Sequence, residues 1–396
     1  MSSVTEAGGA RQRTAAIAGG GLAGLTTAAV LAKRGWRVQV FERAPELREI
    51  GAGLYLRENS LRVLDYLEIS DEVARHGVRL AAQCVYSDGK RIVERDISHL
   101  RKFCVERKQI QRWLYDAAVD EGAEVHYGIA AIAADADGSL LLDGGERVRA
   151  DLVIGADGFR SAVRDSLGLG TSVHDQLDGC TRILIDREDD PPMTIERWSG
   201  KLRIGGSPCS AEYTYIYLCS PEEDEAAKRV PIDLDYWVNR FPAQRPLVER
   251  LGRAAATTRH PLPYTKCRTW VAGRVAVIGD AAHAQPPNLG QGAGLAIGNA
   301  LQVADAIDHA GDVERGLRVW EAKARPLGEA VQRWSCGYGR LAGSPTARAL
   351  KLGAVMWVLE NIPPVGRRWE YVSSGGSECD RPEVRSVRRS REGPNV

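Results

Sequence analysis

The sequence has almost no net charge and no long apolar run. Its 53 Lys and Arg residues balance 52 Asp and Glu residues, which leaves a formal charge of +1. A protein that binds nucleic acid or a membrane surface needs a basic face, so neither partner is expected. We interpret the basic run at Arg385–Arg391 as part of a solvated chain end. No apolar stretch approaches the roughly 18 residues that a membrane span requires.

The eight cysteines form no recognisable metal or redox motif. None stands in a Cys-x-x-Cys pair, and no His and Cys residues have the spacing of a zinc site. Scattered thiols in a chain of 396 residues are typical of reduced intracellular proteins rather than of disulfide scaffolds. The first 13 residues lack the apolar core of a signal peptide. The sequence therefore predicts a cytoplasmic protein without a metal.

What the sequence does contain is a glycine-rich turn between a strand and a helix. An apolar strand at Thr14–Ala18 leads into the spacing Gly-x-Gly-x-x-Gly at Gly19, Gly21 and Gly24. The first glycine makes the tight turn, the second lets a diphosphate approach the backbone, and the third lets helix and strand pack closely. The diphosphate would lie at the helix N-terminus, where unpaired N–H groups favour an anion. A second strand ends in Glu42, whose carboxylate would accept ribose hydroxyls.

A glycine-rich turn without a ligand is the alternative, but the order strand, turn, helix, strand and acid favours a dinucleotide site. This order does not distinguish NAD from FAD. A second glycine-rich turn, at Gly279 and Asp280, follows the buried strand Arg274–Ile278. It lacks the helix and acid of a complete dinucleotide motif. We therefore interpret it as the other wall of the first site, not as a second nucleotide site.

The remainder of the chain changes character twice. Alternating apolar and polar residues over Cys180–Arg268 predict an antiparallel sheet. Helices are predicted at Gln291–His309, at Glu314–Tyr338 despite Pro326, and at Ala347–Glu360. The expected fold class is α/β, with a Rossmann-type dinucleotide domain interrupted by an antiparallel-sheet domain and followed by a helical C-terminal segment. The expected boundaries are 14–179 and 271–345 for the dinucleotide domain, 180–270 for the substrate-binding sheet domain, 346–375 for a C-terminal helix and 376–396 for a disordered tail.

Four motifs together resemble those of the single-component FAD-dependent aromatic hydroxylases, over about Thr14–Tyr371. They are the Gly19–Gly24 turn, the stretch "DLVIGADGFRSAVR", the stretch "VAVIGDAAHAQPPNLGQGAG" and the arginine Arg107 in "VERKQI". The resemblance implies a Rossmann-type FAD-binding domain with an inserted substrate domain. It also implies that FAD is the cofactor and that NADH or NADPH is a transient co-substrate without a Rossmann domain of its own.

The resemblance assigns residues to the cofactor. Glu42 and Arg43 would hold the adenosine end, and Asp280 a ribityl hydroxyl, while Pro287 would lie against the isoalloxazine and Asp157 would have a structural role linked to the cofactor. The complete expected FAD set is Gly19, Gly21, Leu22, Ala23, Gly24, Glu42, Arg43, Arg48, Arg107, Asp157, Asp280, Pro287, Gly290, Gln291, Gly292 and Ala293.

A branch of that family oxygenates hydroxypyridine carboxylic acids and opens their ring, and several stretches of this chain are similar to it. The similarity implies a substrate pocket with Arg182, Arg203, Tyr215 and Tyr55. Tyr215 and Arg203, with Pro287 beside the flavin, would be the catalytic set. Gln83 stands where that branch has a pocket tyrosine, so the substrate is expected to be a relative of that acid and not the same compound.

Strand periodicity gives an independent interpretation of the pocket. Tyr213, Tyr215 and Tyr217 share one face of a predicted strand, because side chains alternate with period two. For the stripe as a whole, packing is favoured over binding. A guanidinium suits a carboxylate through two parallel bonds, but a surface salt bridge is an equal alternative for Arg182 and Arg203.

Three other conspicuous side chains are assigned structural roles. His283 follows Gly-Asp-Ala-Ala, and we interpret it as closing the turn rather than as a base. Trp198 and Trp237 are expected to lie in the core rather than to stack on a cofactor.

The resemblance implies an FAD-dependent monooxygenase that uses NAD(P)H and O₂. Its substrate would be a hydroxylated aromatic or pyridine carboxylic acid, attacked through a flavin C4a-hydroperoxide. Ring opening is a further option. The alternatives are a flavin-dependent halogenase, another oxidoreductase of the same fold, or a non-enzymatic dinucleotide-binding protein. A halogenase is disfavoured because no Trp-x-Trp-x-Ile-Pro stretch occurs. The exact substrate, the choice of NADH or NADPH, and assembly into a homo-oligomer stay open.

Overall fold

The structure is a computed structural model that describes residues 11–47, 52–254, 256–343, 347, 348, 350, 351 and 354. The predicted helix at Ala347–Glu360 and the predicted tail at 376–396 therefore lie wholly or mostly outside the described residues, as does Arg48. The first half of the chain contains β1 Thr14–Ala18, α1 Leu22–Lys33, β2 Arg37–Glu42, β3 Gly53–Leu56, α2 Glu58–Tyr66, α3 Ser70–His76, β4 Val78–Arg79, β5 Ala82–Ser87, β6 Lys90–Asp96, β7 Phe103–Glu106, α4 Arg107–Asp120, β8 Glu124–Tyr127, β9 Ala131–Asp135, β10 Ser139–Leu142, β11 Arg147–Arg149, β12 Leu152–Gly155 and α5 Ala162–Ser166.

The second half begins with the longest strands and ends with the longest helices. It contains β13 Gly170–Asp186, β14 Met193–Ser199, β15 Leu202–Pro208, β16 Tyr213–Pro221, α6 Leu234–Arg240, α7 Arg245–Leu251, β17 Ala256–Cys267, β18 Val271–Ala272, β19 Val275–Val277, α8 Asp280–His283, α9 Gly292–Ala310 and α10 Val313–Gly339, together with short 3₁₀ helices at Pro242–Gln244, Pro287–Leu289 and Arg340–Gly343.

A six-stranded sheet organises the dinucleotide domain, in the order β18-β19-β12-β1-β2-β8. Its strands are parallel apart from the short edge strand β18. Ala18 of β1 pairs with Gly155 of β12, and Gly155 pairs with Val277 of β19. Because parallel strands end at the same edge of a sheet, the chain segments that follow β1, β12 and β19 lie side by side.

Helix α1 forms because its sequence is rich in Ala and Leu and is buried on nearly all sides. Every residue from Leu22 to Ala32 is buried. Thr26 and Thr27 fit this apolar setting because their hydroxyls donate to the carbonyls one turn earlier, at 2.6 and 2.8 Å. The helix therefore packs closely against the sheet and against α4 and α9.

The second large sheet has seven strands, in the order β17-β13-β16-β15-β14-β5-β6. All its pairs are antiparallel except β14 with β5. The predicted α/β fold class with an inserted antiparallel sheet is therefore confirmed. Strands β5 and β6 reach this sheet from within 14–179, and β13 begins before residue 180. The exact domain boundaries stay a prediction, since the sheet takes strands from both sides of them.

The predicted elements around the second turn agree with the structure. The expected strand Arg274–Ile278 is β19, and the expected helices Gln291–His309 and Glu314–Tyr338 are α9 and α10, within a residue or two at each end. Helix α10 continues through Pro326. No described helix is long and apolar enough to cross a membrane.

Candidate active site

The N-terminal turn has the geometry that its glycines predicted. Gly19 has φ +101°, and a Cβ there would lie 2.4 Å from the carbonyl oxygen of Ala156. A Cβ on Gly24 would lie 1.9 Å from the carbonyl oxygen of Gly19, so only glycine fits. Around Gly21 the space is open, and α1 begins there without a side-chain cap. The N–H groups of the first helical turn are thus left for a ligand, which suits a diphosphate.

Glu42 supports this turn from the end of β2. One carboxylate oxygen accepts the backbone N–H of Gly20 at 2.7 Å, and the other accepts that of Ala44 at 2.8 Å. A carboxylate has further lone pairs, so a ribose contact is compatible with these bonds. Arg43 beside it is exposed.

The second turn lies directly against the first. Gly279 has φ +60°, and a Cβ there would lie 3.0 Å from the Cβ of Ala23 in α1. Asp280 then begins α8. Two turns that are more than 250 positions apart are thus adjacent, because β1 and β19 end at the same sheet edge. This contact between Gly279 and Ala23 agrees with the expectation that the second turn forms the other wall of the first site.

A single cavity of about 940 Å³ runs from these turns to the seven-stranded sheet. We call its two ends the turn end, at Gly21–Ala23 and Gly279–Asp280, and the sheet end, at Arg182, Arg203 and Tyr215. The predicted site residues that line it are Gly21, Leu22, Ala23, Tyr55, Arg107, Arg182, Arg203, Tyr215, Asp280, Pro287, Gly290, Gly292 and Ala293.

Other predicted site residues do not line the cavity. Gly19, Gly24, Glu42 and Arg43 stand behind or beside the turn end. Gln291 is buried at the start of α9, where its Oε1 accepts from Asn59 of α2 at 3.2 Å. For these residues the expected contact with FAD stays a prediction.

Asp157 lies between two residues that do line the cavity, Ala156 and Gly158. Its Oδ2 accepts the backbone N–H of Val163 at 3.2 Å, and its buried Oδ1 has no hydrogen-bond partner. Burial raises the pKa of this carboxyl, opposed by the hydrogen bonds it accepts. The geometry agrees with a structural role at the start of α5.

Two half-buried arginines, Arg107 and Arg182, line the cavity together with Asp280 and Tyr215. Burial, and then the nearby charge of Arg182, lowers the pKa of Arg107, while Asp280 and Tyr215 oppose that change. Burial also opposes the charge of Arg182, but Tyr215, Cys180 and Asp280 outweigh it and raise its pKa. The Nε of Arg182 is buried without a hydrogen-bond partner. Because the Arg182 side chain lines the cavity and forms no ion pair with a carboxylate among the described residues, this part of the wall favours an anionic ligand.

Arg203 is the second sheet-end arginine, and it is occupied by protein partners. It is 2% exposed and donates through Nη2 to Asn288 Oδ1 at 2.7 Å. Its guanidinium lies 4.7 Å from the ring centroid of Trp198 and 6.0 Å from that of Tyr338. Its Nη1 is 3.7 Å from Glu196 Oε2. The alternative of a surface salt bridge is therefore wrong for Arg203.

Glu196 is the centre of this network and was missed by the sequence analysis. It accepts from Tyr217 OH at 2.7 Å, from Tyr338 OH at 2.6 Å and from Trp198 Nε1 at 2.7 Å. The donors come from β14, β16 and α10. No local pattern could have revealed this convergence, because Glu196 and Tyr338 are 142 positions apart.

The tyrosine stripe on β16 takes the single face that its period predicted. Tyr213, Tyr215 and Tyr217 all pack into one cluster with Tyr55, and the last two of the stripe line the cavity with ring centroids 6.0 Å apart. Tyr55 contributes a ring 6.2 Å from that of Tyr215. A Cβ added at Gly290 would lie 3.3 Å from the Tyr55 ring, so this ring also packs against the loop after Pro287.

His283 and the two tryptophans are buried. His283 Nε2 shares a 2.9 Å hydrogen bond with Asn299, and its ring lies 5.1 Å from that of Trp270. Burial lowers the pKa of His283 to about 4. It does not line the cavity, which agrees with a structural role. Trp237 lies in the core of the sheet domain, and Trp198 packs against Arg203.

Within the described part of the chain, no cluster of His, Cys, Asp or Glu could hold a metal ion. The cysteines that the structure describes are all free.

Comparison with known proteins agrees with this geometry. A family model described as "FAD binding domain" matches residues 12–335. The 2-heptyl-3-hydroxy-4(1H)-quinolone synthase of Mycobacteroides abscessus is 36% identical over 340 residues, covering 83% of this chain and 90% of that protein. The 3-amino-4-hydroxybenzoate 2-monooxygenase of Streptomyces cremeus is 30% identical over 341 residues, covering 80% of this chain and 84% of that protein.

A solved structure matches at similar strength. The tetrameric form of 2-methyl-3-hydroxypyridine-5-carboxylic acid oxygenase superposes with a TM-score of 0.80 at 34% identity, covering 86% of this chain and 93% of that one. These relatives are monooxygenases, so a non-enzymatic dinucleotide-binding protein no longer describes the chain.

Proposed function

Because this chain belongs to the FAD-binding-domain family and is an FAD-dependent monooxygenase of the aromatic hydroxylase type, we propose that it hydroxylates an electron-rich aromatic or heteroaromatic acid. NADH or NADPH supplies the electrons, one oxygen atom of O₂ enters the ring, and the other leaves as water. The observation that carries this proposal is a continuous cavity that joins both glycine turns to Arg182, Arg203 and Tyr215.

The described residues fit FAD. The open space at Gly21 and the uncapped start of α1 suit its diphosphate. Glu42, which accepts the N–H of Gly20 in that turn, would bind the ribose. Asp280 would accept a ribityl hydroxyl, while Pro287 and the Gly290–Ala293 segment would form the wall beside the ring system. When bound, FAD takes electrons from the nicotinamide and activates O₂ for transfer of one oxygen atom.

Charge supports an acidic substrate. Six basic and two acidic side chains are among the described residues that line the cavity. Arg182 would bind the substrate carboxylate first, because its side chain lines the cavity and no carboxylate in the described part of the chain forms an ion pair with it. Tyr215 would bond to a ring hydroxyl or ring nitrogen. Arg203 would present its remaining N–H groups from a fixed position.

The relatives' names narrow the ring chemistry. A hydroxypyridine acid, a 4(1H)-quinolone and an aminohydroxybenzoate all carry an electron-donating oxygen on the ring. Such rings suit attack at the carbon next to that oxygen. We propose that this chain acts on a ring of the same kind, by hydroxylation with or without ring opening.

A quinolone with an alkyl chain is a second candidate substrate. At the sheet end, Val85, Val93, Trp334 and Leu341 give the cavity an apolar portion beside its cations. A short alkyl chain such as the heptyl group in the relative's product would bury apolar surface there. An alkylquinolone has no carboxylate, so activity with it can be distinguished from activity that depends on the carboxylate of an aromatic acid.

The test is a screen of the purified, flavin-loaded protein with O₂ and either nicotinamide cofactor. The compounds are hydroxypyridine acids, hydroxybenzoates and 2-alkyl-4-quinolones, each with a matched methyl ester or dealkylated analogue. Stimulated NAD(P)H oxidation by the acids but not by the esters supports the first proposal. Product mass then decides between one added oxygen atom, which marks hydroxylation alone, and one added oxygen atom together with the elements of water, which marks hydroxylation followed by hydrolytic ring opening. No stimulation by any compound would contradict the proposal.

We also propose that the chain assembles with copies of itself, as the tetrameric form of the hydroxypyridine acid oxygenase does. Light scattering after size exclusion tests this, and a monomer at micromolar concentration would contradict it.

A further inference from the structure

A buried lysine in the cavity wall is not used by the proposed chemistry. Lys102 directly precedes β7, is 5% exposed and lines the cavity. Its Nζ donates to Thr194 Oγ1 at 3.2 Å and lies 5.0 Å from the ring centroid of Tyr55. Lysine is rarely buried without an ionic partner, so this placement requires an explanation.

The charged neighbours of Lys102 do not compensate its charge. Arg57 at the start of α2 and Arg95 of β6 both act against the ammonium form, after burial itself, and Cys104 of β7 opposes them. The result is a pKa for Lys102 well below the ordinary value. In the part of the chain that the structure describes, no carboxylate forms an ion pair with Lys102. The half-buried Lys33 is the opposite case, since Glu68 and Glu121 raise its pKa.

A chain of hydroxyls fixes the position of the amine. Ser207 Oγ donates to Thr194 Oγ1 at 3.3 Å, and Tyr55 OH lies 3.1 Å from Ser207 Oγ. The hydrogen bonds thus lead from Lys102 through Thr194 and Ser207 to Tyr55, whose ring in turn lies against the Lys102 amine. That ring also packs against Gly290, so the same aromatic ring contacts both the amine and the loop after Pro287.

We propose that Lys102 is the base that removes the acidic ring proton, O–H or N–H, from the bound substrate. The O–H or N–H bond breaks and its electron pair stays on the ring heteroatom, while Nζ gains the proton and becomes an ammonium. The product is an ion pair between the substrate anion and the Lys102 ammonium, so the buried ammonium has a partner of opposite charge. The anion feeds electron density to the neighbouring ring carbon, where oxygen transfer occurs. A base works best when its proton affinity is near the working pH.

This inference rests on the proposed aromatic substrate, but its first test needs no substrate. Lysines of the FAD-loaded protein are dimethylated with ¹³C-formaldehyde and titrated by NMR, and Lys102→Met assigns the Lys102 signal. We expect that signal to titrate at least about one pH unit, or tenfold in proton affinity, below the other lysines. Titration of Lys102 together with the exposed lysines would overturn the proposal.

The second test uses 4-nitrophenol, whose phenolate absorbs visible light, as a probe phenol. Difference spectra against the flavoprotein alone report its ionised fraction when bound. We expect 4-nitrophenol to bind to the wild-type protein. The ratio of phenolate to neutral phenol should be about tenfold or more higher for the bound probe than for the free probe, which corresponds to one pKa unit. Lys102→Met and Lys102→Gln should abolish that gain, and the exposed-lysine control Lys90→Met should keep it. The same ratio in Lys102→Met, or no bound phenolate in wild type, would overturn the proposal.

These readouts separate the inference from the function that it refines. Probe ionisation and lysine titration do not depend on oxygen transfer. A failed substrate screen with both readouts positive would refute the proposed substrate class and leave the base intact. FAD content and the thermal midpoint of each variant establish that it has folded.

Discussion

At the turn end of the cavity the wall is largely backbone, whereas at the sheet end it is built from buried side chains. Gly19, Gly24 and Gly279 set the turn end because each has a backbone conformation or an approach distance that only glycine fits. At the sheet end, Arg182, Arg203 and Glu196 come from three different strands. A site formed by backbone can therefore be predicted from a short stretch of sequence, whereas a site formed by side chains of distant elements cannot.

The two sheet-end arginines differ in the same instructive way. Arg203 is held by Asn288 and Glu196, whereas Arg182 has a buried Nε without a hydrogen-bond partner. We infer that Arg203 mainly stabilises the wall and that Arg182 mainly serves a ligand. Substitution of the two should therefore affect different measurements.

The largest effect on flavin content is expected at the turn end, from Gly24→Ala. The new methyl would lie 1.9 Å from the carbonyl oxygen of Gly19, so the turn must move. Overpacking of this kind costs about 1–3 kcal/mol or more, and FAD retention should be lost. Gly144→Ala is the matched control, because a Cβ there meets nothing within 4 Å. Full flavin content in Gly24→Ala would contradict the backbone account, as would loss in the control.

The next effect is on the network at the sheet end. Glu196→Ala leaves Trp198, Tyr217 and Tyr338 without their common acceptor. It also removes the ion-pair partner of Arg203, and breaking a buried ion pair costs about 3–5 kcal/mol. Arg203→Met should lower stability in the same way. The midpoint of urea unfolding measures both. Glu223→Ala removes an exposed carboxylate paired with Lys201 and should cost less than about 1 kcal/mol. Equal losses for Glu196→Ala and Glu223→Ala would rule out the network as a source of stability.

His283 makes the stability of the protein depend on pH. Its pKa of about 4 in the folded protein lies below the ordinary 6.5, so the unfolded chain binds the proton more tightly. The contribution of His283 to stability should thus be complete above about pH 6.5, fall between about pH 6.5 and 4, and level off below about pH 4, with a total loss of roughly 3 kcal/mol at most. Urea midpoints across this range measure the slope, with the exposed-histidine variant His309→Gln as control. An unchanged slope in His283→Gln would show that other groups cause the pH dependence.

The smallest effect on stability, but a clear one on binding, is expected for Arg182→Met. It removes a charged donor to the ligand, worth about 1.5–3 kcal/mol, or roughly tenfold or more in Kd. FAD should be retained. Flavin difference spectra with the most active acid from the substrate screen give the Kd, and the exposed Arg91→Met is the control. If Arg182→Met lowers stability as much as Arg203→Met and leaves Kd unchanged, the distinction between the two arginines fails.

The fold and the turn end could be predicted from sequence, because strand periodicity and glycine spacing are local patterns. The tyrosine face of β16 followed from the same period. Glu196 and Lys102 could not be found, because each gains its meaning from partners that other elements supply, such as Tyr338 of α10 or Tyr55 of β3. The family resemblance predicted one shared role for Arg203 and Arg182, and only the contacts in the structure distinguish the roles of the two side chains.

The central claim is that two distant turns hold one FAD. The most direct measurement is the visible flavin spectrum and FAD-to-protein ratio of purified wild type and Asp280→Ala, with Asp235→Ala of α6 as the control. The account predicts one FAD per chain in wild type and in the control, and a marked loss from Asp280→Ala with unchanged circular dichroism. A colourless wild type that cannot be loaded, or Asp280→Ala with full flavin content, would contradict it.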